Sequence, residues 1–204
     1  MDDLSSGSGV APKTPPWYRA VMNVPAVRRM TVPEFLAWAD TQGDGRYELL
    51  GGQIVAMAPE RAEHGRVKRR AADALDAAIG RANVICETFV DTLAVTIDAD
   101  TSYVPDALVN CGERVARDSM IAPNPVIVVE VLSPSTLHID KSTKLADYFR
   151  VPSISHYLIV DLGRRHVVHY RRQPDGAVTV TIAKDGDVLL DPPGIAIAVA
   201  SLFD

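Results

Sequence analysis

The chain has 204 residues and only two cysteines, Cys86 and Cys111, which form no Cys-x-x-Cys pair and no Cys/His cluster. That argues against a structural zinc site. Two buried thiols in a cytoplasmic protein are the expectation, and the spacing neither excludes nor requires a disulfide. Long apolar runs are also missing: none approaches the roughly 18 residues that suggest a membrane span. Basic excess is missing too. Lys and Arg total 21 against 26 Asp and Glu, a formal net charge of −5, which opposes non-specific nucleic-acid binding by the whole surface but leaves room for a local basic face. The first residues, Met1 to Thr14, lack the basic-then-apolar layout of a signal peptide. They read as part of a disordered or extended tail over 1–26, ahead of one domain over 27–204. Ser133 and Ser135 lack the Gly-x-Ser-x-Gly elbow of a serine hydrolase.

Hydrophobic residues make up 47% of the chain and charged residues 23%, the balance of a globular protein with a sizeable core. Thr31-x-x-Glu34 with Pro33 has the form of a capping box opening a helix. Arg46 to Met57 reads as a hairpin around Gly51-Gly52. Val67, Ala71, Leu75, Ala78 and Ile79 recur at helical spacing after Pro59, which predicts a helix with Lys68 and the neighbouring arginines mostly outside the apolar stripe. Strands are expected at 83–87, 92–97, 107–110, 126–132, 156–161, 166–171 and 178–183, with a helix over 140–150. The tail from Asp187, broken by Pro192-Pro193-Gly194, gives no clear pattern. This order implies an α/β (α+β) fold, a mixed sheet flanked by helices.

Two acids stand out. Asp106 follows Pro105 at the head of an apolar run, so its strand begins beside an edge or a bend. Glu130 closes Val126-Ile127-Val128-Val129, whose lack of alternation predicts a strand buried on both faces. A carboxylate in such a strand costs several kcal/mol, on the order of 2–7, unless it is hydrogen-bonded, paired or metal-bound. Hard oxygen donors of this kind suit magnesium. From the residues alone, the competing reading is that Asp106 caps a turn and Glu130 pairs with an arginine. Two basic groups, Arg66/Lys68/Arg69/Arg70 and Arg164/Arg165/Arg171/Arg172, read as solvated surface. His156, His166 and His169 read as surface or sheet-edge histidines, and Tyr148, Tyr157 and Tyr170 as core aromatics with a polar tip.

Several motifs occur in a fixed order: Tyr47-Glu48-Leu49, Met57-Ala58-Pro59, His64, Pro105-Asp106, Val129 to Thr136, Asp140-x-x-x-Lys144 with Tyr148, and Tyr157 to Asp161. Together they resemble the Uma family, restriction-endonuclease-like proteins of the PD-(D/E)XK nuclease superfamily once catalogued as a domain of unknown function. The resemblance runs over roughly residues 30–172. It implies a restriction-endonuclease-like core and magnesium-dependent hydrolysis of DNA phosphodiesters, with manganese as a substitute. Asp106 and Glu130 match the two signature acids, Glu48 an auxiliary acid, and Lys144 a lysine on the following helix. The resemblance also implies a metal held by Asp106, Glu130, the Val131 carbonyl and Glu48, and, by analogy with dimeric nucleases, a homodimer. His64 matches a position without an assigned role. The signature lysine two residues after the second acid is replaced by Leu132, so Lys144, with Lys141 as the alternative, has to supply the ammonium. A non-catalytic module of the same fold that binds nucleic acid or protein, and a hydrolase of small phosphoesters, are the rival expectations.

Overall fold

The computed structural model describes residues 29–43, 45–132 and 141–203. The expected tail over 1–26, the Ser133–Thr136 loop and Asp140 lie outside the described residues, and the alternative lysine, Lys141, lies outside the described side chains.

Helix α1 (Val32–Ala39) starts as its sequence dictates. Thr31 and Glu34 form a reciprocal capping box, with proline in the first turn. A hairpin follows, β1 (Tyr47–Leu50) and β2 (Gln53–Ala56). Its two turn residues, Gly51 and Gly52, have φ of +53° and +77°, which only glycine adopts without strain at both positions. Helix α2 (Ala62–Ala82) ends at Asn83, which takes the left-handed conformation at the C-cap. The next strand, β3 (Cys86–Val90), starts three residues beyond its expected start.

Next come β4 (Val95–Thr96), β5 (Ser102–Tyr103), β6 (Ala107–Cys111) and β7 (Pro125–Leu132). Helix α3 (Lys141–Tyr148) leads to β8 (His156–Asp161), β9 (His166–Arg172) and β10 (Val178–Ala183). The segment without a clear pattern forms a hairpin of β11 (Asp187–Leu190) and β12 (Ile195–Ala198), closed by a 3-10 turn at Val199–Leu202.

The main sheet has the order β10-β9-β8-β7-β6-β3. It is antiparallel except for β7 and β8, which pair in parallel and are joined across α3. A smaller sheet has the order β2-β1-β5-β4. The fold is α+β with a mixed sheet, as the order of elements implied.

Alternation along β7 divides the core. Ile127, Val129 and Val131 face α2 and the β11–β12 hairpin, where Val67, Leu75, Leu190 and Ile197 pack. Val128 faces the other way, toward Tyr148, Tyr157, Leu93 and Tyr103. A strand apolar on both faces belongs inside a sheet covered on both sides, and β7 is one. Strand β6 is interior as well, so Pro105 marks a bend at the strand's entry rather than a sheet edge.

The cysteines are not buried thiols. Cys86 and Cys111 stand directly opposite on β3 and β6 and form a disulfide, with both residues half-buried. Register set by the sheet brings together two positions whose local contexts are unrelated. The histidine expectation also fails. His156, His166 and His169 are buried, and His156 Nδ1 lies 2.9 Å from His169 Nε2. Burial in the β8–β9 core pushes both of these imidazoles down to about 4. The second basic group is not uniformly solvated either. Arg172 donates to the carbonyls of Phe149, Val151 and Ile154 and so ties off the C-terminal end of α3.

Candidate active site

The register Ala107↔Val129 between β6 and β7, extended by one residue, sets Asp106 against Glu130. Asp106 is buried and its carboxylate is held by donors on both oxygens. Oδ2 accepts from the Val131 amide at 2.6 Å and lies 3.2 Å from His64 Nε2. Oδ1 lies 2.7 Å from Lys68 Nζ. Burial alone would raise this acid, but His64, Lys68 and the Val131 amide together hold it below the usual carboxylate range.

Glu130 projects toward α3 and β1. Its Oε1 accepts from Tyr148 Oη at 2.9 Å and from Lys144 Nζ at 3.2 Å. Lys144 and Tyr148 lie one turn apart on α3, so one helix face delivers both donors. Lys144 also donates to Glu48 Oε1 at 2.8 Å and stands 5.0 Å over the Tyr103 ring. Glu48 is fixed on β1, and its Oε1 accepts from the Val104 amide at 3.2 Å. Burial pushes Glu130 up to about 7; repulsion from Asp106 and Glu48 adds to this, and Lys144 and Tyr148 only partly offset it. Lys144 is raised as well: Glu130 and Glu48 outweigh its burial and keep the ammonium charged.

Of the four residues named from separated stretches of sequence, Glu48, Lys144 and Glu130 are in direct contact, while Asp106 lies beside Glu130 in the sheet register and spends its own contacts on His64, Lys68 and the Val131 amide. What sequence reasoning missed lies on the other side of Asp106. Lys68 is not surface; it is 2% exposed. Its Nζ contacts Glu60 Oε1 at 2.5 Å, Asp91 Oδ1 at 2.7 Å and Asp106 Oδ1. Arg46 stands behind, reaching both Glu60 and Asp91. A signal was present: His64, Lys68, Ala71 and Leu75 fall at four-three-four spacing, which puts Lys68 on the inward stripe of α2. The remainder of that basic group is solvated as expected at Arg66 and Arg69.

The donor set fits a divalent cation. Five carboxylates, Glu48, Glu60, Asp91, Asp106 and Glu130, face three permanent cations, Arg46, Lys68 and Lys144. Glu130, raised first by burial, is raised further by the neighbouring carboxylates Asp106 and Glu48. Hard oxygen ligands are those magnesium and manganese prefer. Among the described residues, Glu60, His64 and Asp106 are the group whose ligand atoms all lie within 4.8 Å of one another; Glu48 and Glu130 do not form such a group with Asp106.

A family profile described as "Putative restriction endonuclease", Uma2, matches residues 32–200. The chain belongs to the Uma2 family. Two relatives from Synechocystis sp. are similar over most of their length. Uncharacterized protein sll1609 is 30% identical over 76% of this chain and 88% of its own length. Uncharacterized protein slr1290 is 27% identical over 86% of this chain and 92% of its own. A crystal structure from Anabaena variabilis, titled as a putative nuclease belonging to DUF820, superposes with a TM-score of 0.65 at 20% identity, covering 85% of this chain and 97% of that one. That likeness shows a shared fold.

Proposed function

We propose that this chain is a metal-dependent endonuclease that hydrolyses DNA phosphodiester bonds. Membership of the Uma2 family supports nuclease chemistry. The observation that carries the reading is the Glu48–Lys144–Glu130 cluster with Asp106 beside Glu130 in the sheet register, and more carboxylate than cation around them.

Asp106 and Glu130, with the Val131 carbonyl and Glu48, would hold a magnesium ion, which manganese would replace. When bound, the ion supplies Lewis acidity toward phosphoryl oxygens and an acidified water. The chain's own residues do the rest. Glu48 orients the attacking water. Lys144, kept charged between Glu48 and Glu130, orients that water and offsets charge on the pentacovalent phosphorus rather than acting as a free-amine base. Its side chain is 19% exposed, enough to reach substrate. In this way an ammonium from α3 replaces the one that Leu132 cannot provide. Glu130, raised to about 7, is a residue whose charged carboxylate a bound cation would favour.

The proposal extends to one domain over 27–204, to a cytoplasmic protein acting where DNA is found, and to a homodimer whose two centres cut two strands. Strand β10 is the sheet edge that suits such pairing. Val178-Thr179-Val180-Thr181-Ile182 is exposed and uncharged, and a two-fold axis at Val180 sets Thr179 against Thr181. Among the described residues no helix is long and apolar enough to cross a membrane.

The test is incubation of the purified protein with plasmid and with linear and single-stranded DNA, in magnesium or manganese. Cleavage above an Asp106→Ala control is expected, and its absence on every substrate refutes the activity. A second reading, a non-catalytic module of the same fold, is favoured by the displaced lysine and by the complete pairing of Lys144 with the acids. It predicts no manganese binding by calorimetry.

A further inference from the structure

Lys68 is the most enclosed cation near the site, and the nuclease chemistry gives it no task. Its three ammonium protons have three acceptors, on Glu60, Asp91 and Asp106. At 2% exposure it touches neither solvent nor an incoming phosphate. Burying an ammonium costs several kcal/mol, on the order of those for any isolated ion in the interior, so its place against Asp106 calls for a reason. The acid it contacts is the one most securely held: with Val131 and His64 on Oδ2, Lys68 saturates Oδ1. The ammonium also contacts Glu60 and Asp106, which with His64 make the three groups able to share one cation.

We propose that Lys68 is the resident counter-cation of Asp106. Its ammonium neutralises the acid in the metal-free protein, competes with a divalent ion for Oδ1, and retains Glu60 and Asp91 as acceptors when the ion takes that oxygen. Lys68 is therefore a positioning residue that sets metal affinity, distinct from Lys144, whose ammonium is placed to meet substrate. The inference rests on the reading of Asp106 as a metal ligand. It adds that the site binds its ion by exchanging one cation for another. Arg46, paired with both Glu60 and Asp91, keeps the ammonium's second seat in place without moving itself.

The experiment is manganese titration by calorimetry together with thermal unfolding, with and without manganese, on the full chain. Lys68→Met is expected to unfold at lower temperature than wild type without metal, to bind manganese about tenfold more tightly because a like charge and a competitor are gone, and to recover its melting temperature when manganese is added. Lys68→Arg, which keeps the charge, stays within about threefold of wild type. Asp91→Asn has the opposite sign: with one alternative seat neutralised, Lys68 stays on Asp106 and manganese binds more weakly. A purely structural Lys68 predicts weaker binding in Lys68→Met as Asp106 loses its order, and that result overturns the proposal. If Lys68→Met fails to fold, unchanged or tighter manganese binding in Asp91→Asn overturns it. If wild type and Asp106→Asn bind manganese alike, Asp106 is no ligand and the proposal falls with that reading.

Discussion

Glu130→Gln should stabilise the metal-free protein at alkaline pH while removing its response to metal. In the folded chain Glu130 sits at about 7 against an ordinary value of 4.5, and that value already contains the help it receives from Lys144 and Tyr148. A carboxyl raised on folding contributes stability below its unfolded value and loses it as pH rises through the folded one. Below about pH 4.5 the charge is absent in both states, so the substitution is nearly neutral. Between about pH 4.5 and 7 the wild type loses roughly 1.4 kcal/mol per pH unit on this account, reaching about 3 kcal/mol at pH 8. Glutamine has the same shape, still accepts from Tyr148 and carries no charge to repel Asp106 and Glu48. Urea unfolding in EDTA at pH 5 and pH 8 measures the effect. The variant is expected to gain up to about 3 kcal/mol at pH 8, or some 6–12 °C in melting temperature for a chain of this size, and little at pH 5. Added manganese should raise the wild type only. A destabilised Glu130→Gln at pH 8, or parallel pH profiles for the two proteins, refutes the electrostatic account of this cluster.

Lys144→Met is expected to retain manganese binding and to lose plasmid cleavage by at least about a hundredfold, the range for removing one preorganised charge from a transition state; calorimetry and a nicking assay separate the two effects. The buried His156–His169 pair, held at about 4 against an ordinary 6.5, makes the protein lose stability as pH falls from about 6.5 toward 4, because the unfolded chain takes up the protons first. His169→Phe should flatten that limb of a urea-midpoint profile. Reducing Cys86–Cys111, a sequence separation of 25, should cost about 3.5 kcal/mol by loop-closure entropy, read as a lower urea midpoint in dithiothreitol that a Cys86→Ser/Cys111→Ser protein does not show. Val180→Lys on the β10 edge should move the protein to lower mass in sedimentation velocity if two copies pair there, since a charge at an open edge blocks strand addition.

Local chemistry fixed much of this protein before any tertiary contact. The Thr31/Glu34 box, the Gly51-Gly52 turn and the alternation-free run into Glu130 each encode their own geometry within a few residues, because capping, left-handed φ and two-sided burial are properties of short segments. Asp106, Glu130, Glu48 and Lys144 could be named because ordered family motifs mark them. What they touch could not, since each lies on a different element and only sheet register and helix placement decide distance. Three corrections share that cause. Cys86 meets Cys111 because β3 lies antiparallel on β6, and His156 meets His169 because β8 lies on β9. Lys68 reaches Asp106 because α2 packs on one face of the main sheet with its His64–Leu75 stripe inward. Sequence alone singled out Glu48, Asp106 and Glu130 as candidate acids; the tertiary structure alone decided which cations and which further acids, Glu60 and Asp91, stand with them, because a buried charge is paired by whatever the fold brings within 3 Å or so.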